Sequence, residues 1–166
     1  MNVQRIAKIL ETKNDLIIND VILNKAVKEN QIIHGARAYN YQSPSYLKKK
    51  TYDYDILTKK PKKSAQEVAK SLSRRLGKEV KVVKGKHKGT YRLKLNNEVI
   101  ADYTQMKSNI DTKKVIGIKS RSLKSIKRNI KKLIKNPKKE FRRQKDLDTL
   151  QRIQRIENIE KSFIFK

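Results

Sequence analysis

The sequence predicts an α+β fold, a mixed β-sheet with helices packed on it and basic helical flanks at both ends. Two observations carry this expectation. Apolar residues recur at helical spacing before residue 30 and again beyond 120, whereas the middle of the chain holds short strand-like runs bounded by Gly, Asn and Pro. One helical pattern, over 64–76, interrupts those runs and sets helix against sheet.

Taken in order, residues 2–12 place Val3, Ile6, Ile9 and Leu10 on one stripe. Asn14-Asp15 is expected to break that helix, and a second one to run over 16–30. Gln31 to His34 reads as a buried strand ending in a tight turn at Gly35, after which 36–40 opens a helical turn. Ser43-Pro44-Ser45 marks a loop over 41–50. In Tyr52-Asp53-Tyr54-Asp55-Ile56 the types alternate, so a strand over 52–57 sets both acids on one face.

A helix opens at Lys60-Pro61, carries Val68, Ala69, Leu72 and Leu76 on one face and stops at Gly77. Strand-like runs follow at 79–84, 91–95 and 98–103, the last two joined by an Asn96-Asn97 turn. The pattern blurs beyond Gln105 as far as Ile116-Gly117-Ile118. Over 120–136, Leu123, Ile126, Ile130, Leu133 and Ile134 define a helix with a basic opposite face, closed by Pro137. A last helix over 139–160 would turn Phe141, Leu147, Leu150, Ile153 and Ile156 inward. These elements divide the chain into a helical N-terminal appendage (1–30), a catalytic core (31–110) and basic C-terminal helices packing on the core (111–166).

Lys and Arg number 43 against 16 Asp and Glu, a net charge of +27 in 166 residues. Such an imbalance implies a polyanionic partner, most commonly nucleic acid. No stretch approaches the ~20 apolar residues that span a bilayer, and no secretory leader opens the sequence, so a cytoplasmic protein with no membrane partner is expected. The absence of cysteine excludes disulfides, thiolate zinc sites and cysteine nucleophiles. With only His34 and His87, a metal would be a hard cation on carboxylates, magnesium or manganese.

Three acids stand out. Asp53 and Asp55 alternate on one strand, and Asp102 interrupts the apolar run Val99-Ile100-Ala101-Asp102-Tyr103-Thr104. A strand neighbouring 52–57 could bring Asp102 to the same face, and three carboxylates can hold two metals for in-line attack at phosphorus. An Asp-x-Asp on a strand also arises by chance, and Gly35 by itself reads as an ordinary strand-end turn. It is their combination that points to chemistry. The Gly85–Gly89 stretch reads as a hairpin loop and not a P-loop, since no lysine follows its second glycine.

The order of His34-Gly35-Ala36-Arg37, Asp53 and Asp55, then Asp102 resembles the polymerase-beta-like nucleotidyltransferase superfamily. The stretches 33–38, 51–56, 85–91 and 101–104 are similar to its viral and archaeal branch, that of poly(A) polymerase catalytic subunits. The likeness covers 31–104, with a looser echo in 141–147. It implies a two-metal enzyme moving NMP from an NTP, ATP favoured, to an acceptor hydroxyl, with an RNA 3′ end as acceptor. It implies Asp53, Asp55 and Asp102 as catalytic and metal-binding residues, and Gly35, Ala36 and Arg37 around the nucleotide. Ala36 stands where many members have serine, and the gap from Gly35 to Asp53 is long for the superfamily. A viral source would place the protein in host cytoplasm or in the virion.

RNA contacts are expected from Lys86, His87 and Lys88 and from Lys124, Lys127, Arg128 and Lys131, although any single basic cluster can equally be a solvated face. Tyr39, Tyr41 and Tyr46 could stack on bases or simply pack. Two other functions fit the same residues. One is a toxin-like transferase modifying tRNA or protein. The other is a non-enzymatic nucleic-acid-binding protein indifferent to the three acids.

Overall fold

The computed structural model describes the backbone of residues 3–164 and the side chains of 12–163. In chain order the elements are α1 (Val3–Lys28), β1 (Ile32–His34), α2 (Gly35–Tyr41), β2 (Tyr54–Thr58), α3 (Pro61–Leu76), β3 (Val80–Lys84), β4 (Thr90–Leu95), β5 (Glu98–Gln105), β6 (Thr112–Val115), β7 (Ile118–Arg121), α4 (Leu123–Ile134) and α5 (Arg143–Ile164), with 3-10 turns at Ser45–Leu47 and Pro137–Arg142. The strands make one sheet in the order β3-β4-β5-β2-β1-β7-β6. It is mixed, as expected: β2 pairs β5 and β1 pairs β7 in parallel, and the remaining pairs are antiparallel.

One face of the sheet is covered by α1 and α3. Ile33, Tyr54, Ile56, Leu93, Ala101 and Tyr103 from the strands meet Ile22, Ala26, Val68 and Leu72 from the helices in the main core. Alternation along each strand turns the intervening residues to the opposite face, and that is the face of interest. A second, smaller cluster joins Tyr39 and Leu47 to Ile153 and Ile156, so α5 clamps the chain between α2 and β2.

Several expectations need correction. Asn14-Asp15 does not break the first helix: α1 runs through both. Each costs only about half a kcal/mol of helix propensity, which burial of Ile18, Val21, Ile22 and Ala26 outweighs. Residues expected as an appendage therefore contribute to the core. The stripe at Val3, Ile6, Ile9 and Leu10 lies outside the described side chains. Beyond Gln105 the chain adds the hairpin β6–β7 to the sheet, and Ser120, expected in a helix, is a buried strand residue. The helix α4 starts later, with Ser122 accepting from the Ser125 amide as its cap. Phe141 and Leu147 face solvent instead of the core.

The β6–β7 hairpin turns at Ile116-Gly117, both at positive φ (49° and 77°). A β-branched residue in that region is strained, and Ile116 is 96% exposed, so no packing compensates. Ile116→Asn is expected to raise unfolding stability by about 1 kcal/mol, read from denaturant melts. An unchanged or lower midpoint would contradict the strain.

Candidate active site

Strand pairing lines up one polar row across four strands. Arg92 on β4 stands opposite Asp102 on β5, Asp102 opposite Asp55 on β2, and Asp55 opposite His34 on β1. Adjacent strands lie ~4.8 Å apart, so each side chain of the row has the next as neighbour. The parallel β2–β5 pairing is what brings Asp55 and Asp102 together.

The row is electrostatically loaded. Burial first, then the charges of Asp53 and Asp102, push the Asp55 carboxyl up to about 6, against the opposing pull of Lys145 and Arg92. Arg92 grips Asp102 with both arms, Nε to Oδ1 at 2.8 Å and Nη2 to Oδ2 at 2.7 Å. The three acids together raise the Arg92 pKa further. His34 lies deep at the other end, driven down to about 4 by burial and by Arg121, so its ring is neutral. It makes no helix-capping bond, and its Nε2 is buried without a partner. His34 therefore packs behind the Gly35 turn without capping α2.

Gly35 opens α2 at φ 65°, and a Cβ there would lie 2.1 Å from Asp55 Oδ2. Only glycine lets the backbone lie this close to the carboxylate. Asp53 does not share a strand with Asp55, because β2 begins at Tyr54 and Asp53 sits in the bend before it. That bend is fixed by Arg37, whose Nε donates to the Asp53 carbonyl (2.8 Å) and Nη2 to the Tyr52 carbonyl (3.0 Å). The guanidinium also stacks 3.7 Å from the Tyr54 ring centroid. Arg37, expected beside the triphosphate, is thus a positioning residue for Asp53. Arg37→Ala should lower stability by roughly 1–3 kcal/mol from these contacts, and Arg37→Lys, lacking the planar fork, should not restore it in melts. Full restoration by lysine would count against this role.

The RNA-contact expectations are mixed. Lys86, His87, Lys88, Lys124, Arg128 and Lys131 are exposed, whereas Lys127 is half-buried and paired with Glu157 at 2.7 Å. Tyr39 is buried, donating to the Leu47 carbonyl, and Tyr41 is half-buried, so only Tyr46 of the three tyrosines is an open ring. Arg92, Arg121 and Lys145 escaped the sequence reading. The alternation in Tyr91-Arg92-Leu93 could have put Arg92 on the polar face, but nothing local signals the other two.

The chemistry of the donors fits a hard divalent cation at Asp53 and Asp55. Carboxylate oxygens, one of them carrying unmet negative charge, are its usual ligands. The third acid is not preassembled, because Arg92 occupies both Asp102 oxygens. Among the described residues, no three acidic or histidine side chains converge as they stand.

A strand entering a glycine-opened helix, followed by an acid aligned with another on the next parallel strand, is the arrangement of the nucleotidyltransferase fold. The family model described as poly(A) polymerase catalytic subunit matches residues 6–135, and the chain belongs to that family. Its structure is similar to that of the Megavirus polyadenylate synthase, with a TM-score of 0.74 at 16% identity over 84% of this chain. The chain spans 30% of that protein's length. No curated protein matches it.

Proposed function

We propose that this chain is a nucleotidyltransferase module that moves a nucleoside monophosphate from an NTP, with ATP favoured, to the 3′ hydroxyl of RNA. The observation that carries this reading is the register of Asp55 with Asp102, with Gly35 pressed against Asp55, in a chain of this family.

In this reading the 3′ oxygen attacks the α-phosphorus, the bond to the β-phosphate bridge breaks, and pyrophosphate leaves. The hydroxyl proton passes to Asp102, freed for that step as Arg92 turns to the phosphates. Asp53 and Asp55 would hold magnesium or manganese, with Asp102 joining them. Bound there, the cation supplies charge neutralisation for the triphosphate and a lowered pKa for the attacking hydroxyl. Free amides at the start of α2, from Gly35 and Ala36, are offered to the triphosphate. The acceptor is drawn in by the net charge of +27, so affinity should fall steeply with salt.

The test is incubation with each labelled NTP, magnesium or manganese, and a mixed pool of RNA and protein. Label in RNA supports the reading and names the nucleotide, while label in protein moves it to a toxin-like transferase. The Arg92 clasp on Asp102 favours a second reading, a binding protein that has kept the fold. No incorporation with either metal, with RNA binding intact in the Asp53→Ala/Asp55→Ala variant, would select it.

A further inference from the structure

The stretch joining α2 to β2 is tethered at alternate points, and two of its rings are left in water. The Leu47 carbonyl accepts from Tyr39 Oη (2.9 Å) and Arg152 Nη1 (3.2 Å). Lys49 exchanges two bonds with Asn40, both 2.7 Å, and its Nζ donates to Thr149 Oγ1 at 2.6 Å. The Tyr52 carbonyl is held by Arg37. Beside these anchors Tyr46 is 71% exposed and Tyr52, its backbone held only through the carbonyl, 73%, whereas Tyr39 and Tyr54 nearby are buried.

An exposed aromatic ring on a fixed backbone is a stacking platform formed in advance, with little ordering left to do on binding. Lysines accompany them along the chain. Lys50 Nζ lies 5.2 Å from the Tyr52 ring centroid, Lys48 follows Tyr46 by two residues and is exposed, and Tyr52 directly precedes Asp53. Lys145, on the first turn of α5, is exposed, and its carbonyl accepts from the Thr149 hydroxyl (2.9 Å) that Lys49 Nζ also reaches. With Tyr52 next to Asp53, the platform ends at the carboxylates.

We propose that Tyr46 and Tyr52, with Lys48, Lys50 and Lys145, form the track on which the unpaired 3′-terminal bases of the acceptor RNA stack as they enter the site. Two exposed rings offer more stacking surface than one nucleobase covers, which favours a strand over the incoming nucleotide. Stacking on ring faces is tolerant of base sequence and demands unpaired bases. The identity of the strand as acceptor rests on the transferase reading above, but its binding does not.

The test is fluorescence anisotropy with a labelled single-stranded oligoadenylate in EDTA, where no turnover is needed, followed by steady-state kinetics. Tyr46→Ala/Tyr52→Ala should weaken single-strand binding about tenfold or more, with blunt duplex binding unchanged. Tyr46→Phe/Tyr52→Phe should bind like wild type, because the rings remain. In turnover the alanine pair should raise KM for RNA and leave KM for ATP alone. Both rings are surface groups, and melting curves would verify that the variants fold. Single-strand affinity within about twofold of wild type in the alanine pair, or a raised KM for ATP with RNA affinity intact, would overturn the track. Wild type that binds through the rings yet incorporates nothing would keep the track and remove the transferase reading.

Discussion

Asp55→Asn is expected to abolish nucleotide transfer and, at the same time, to make the protein more stable at neutral pH. In the proposed reaction transfer should drop roughly a thousandfold, since loss of a carboxylate proposed to hold the cation removes several kcal/mol of charge stabilisation at about 1.4 kcal/mol per decade. The stability gain follows from the Asp55 carboxyl, raised to about 6 from an ordinary 3.8. The folded chain holds this proton more tightly than the unfolded chain. Its favourable contribution is full below the unfolded value, declines as pH rises toward about 6, and is gone above it. At pH 7 the ionised Asp55 thus costs stability on the order of 3 kcal/mol, and asparagine removes that cost. Magnesium should relieve it as well, by binding the charged form. Wild type should therefore melt higher with magnesium than with EDTA, and Asp55→Asn should melt at one temperature in both. A variant that melts lower than wild type at pH 7, or still transfers nucleotide, would refute the assignment of Asp55.

How much of this site could be read from the chain alone depended on the range of the interaction. The carboxylate pair, the glycine turn and the lone acid at 102 are local patterns, and their combination singles them out, although only Asp55 of the pair lies on a strand. The helix α3 was legible from its apolar face and Gly77, and the β4–β5 hairpin from Asn96-Asn97, both of which adopt the positive φ of such a turn. What stayed hidden was set by pairing between distant strands. Arg92 matters because β4 lies beside β5 in register, and Arg121 because β7 returns next to β1. Lys145 reaches the row only because α5 packs on Leu47 through Ile153 and Ile156. The hold of Arg37 on the Tyr52 and Asp53 carbonyls is hidden for the same reason, since a cation after a glycine turn signals phosphate locally and only the fold sets the bend before β2 beside it. Asn14-Asp15 failed in the other direction, a local signal overruled by burial along the rest of α1.

Gly35→Ala should be the most damaging single methyl in the molecule. Two penalties coincide at this position. Alanine at φ 65° costs roughly 1–2 kcal/mol, because its Cβ crowds the following carbonyl. That same Cβ would lie 2.1 Å from Asp55 Oδ2 and 3.0 Å from Asp55 Cγ, so the carboxylate must move. Asp55 has little room to do so, with His34 and Asp102 in register on either side and Asp53 repelling it. Relief by shifting the backbone costs about a further 1–3 kcal/mol. Stability should therefore drop by about 2–5 kcal/mol, and transfer by a hundredfold or more for a displacement of about 1 Å. The double variant Gly35→Ala/Asp55→Gly separates the two penalties. Removing the obstructing carboxylate should restore the overlap share of stability and leave the φ share, and it should restore no activity. If Gly35→Ala alone retains wild-type melting and turnover, the glycine is only a turn, and the close approach to Asp55 has no part in catalysis.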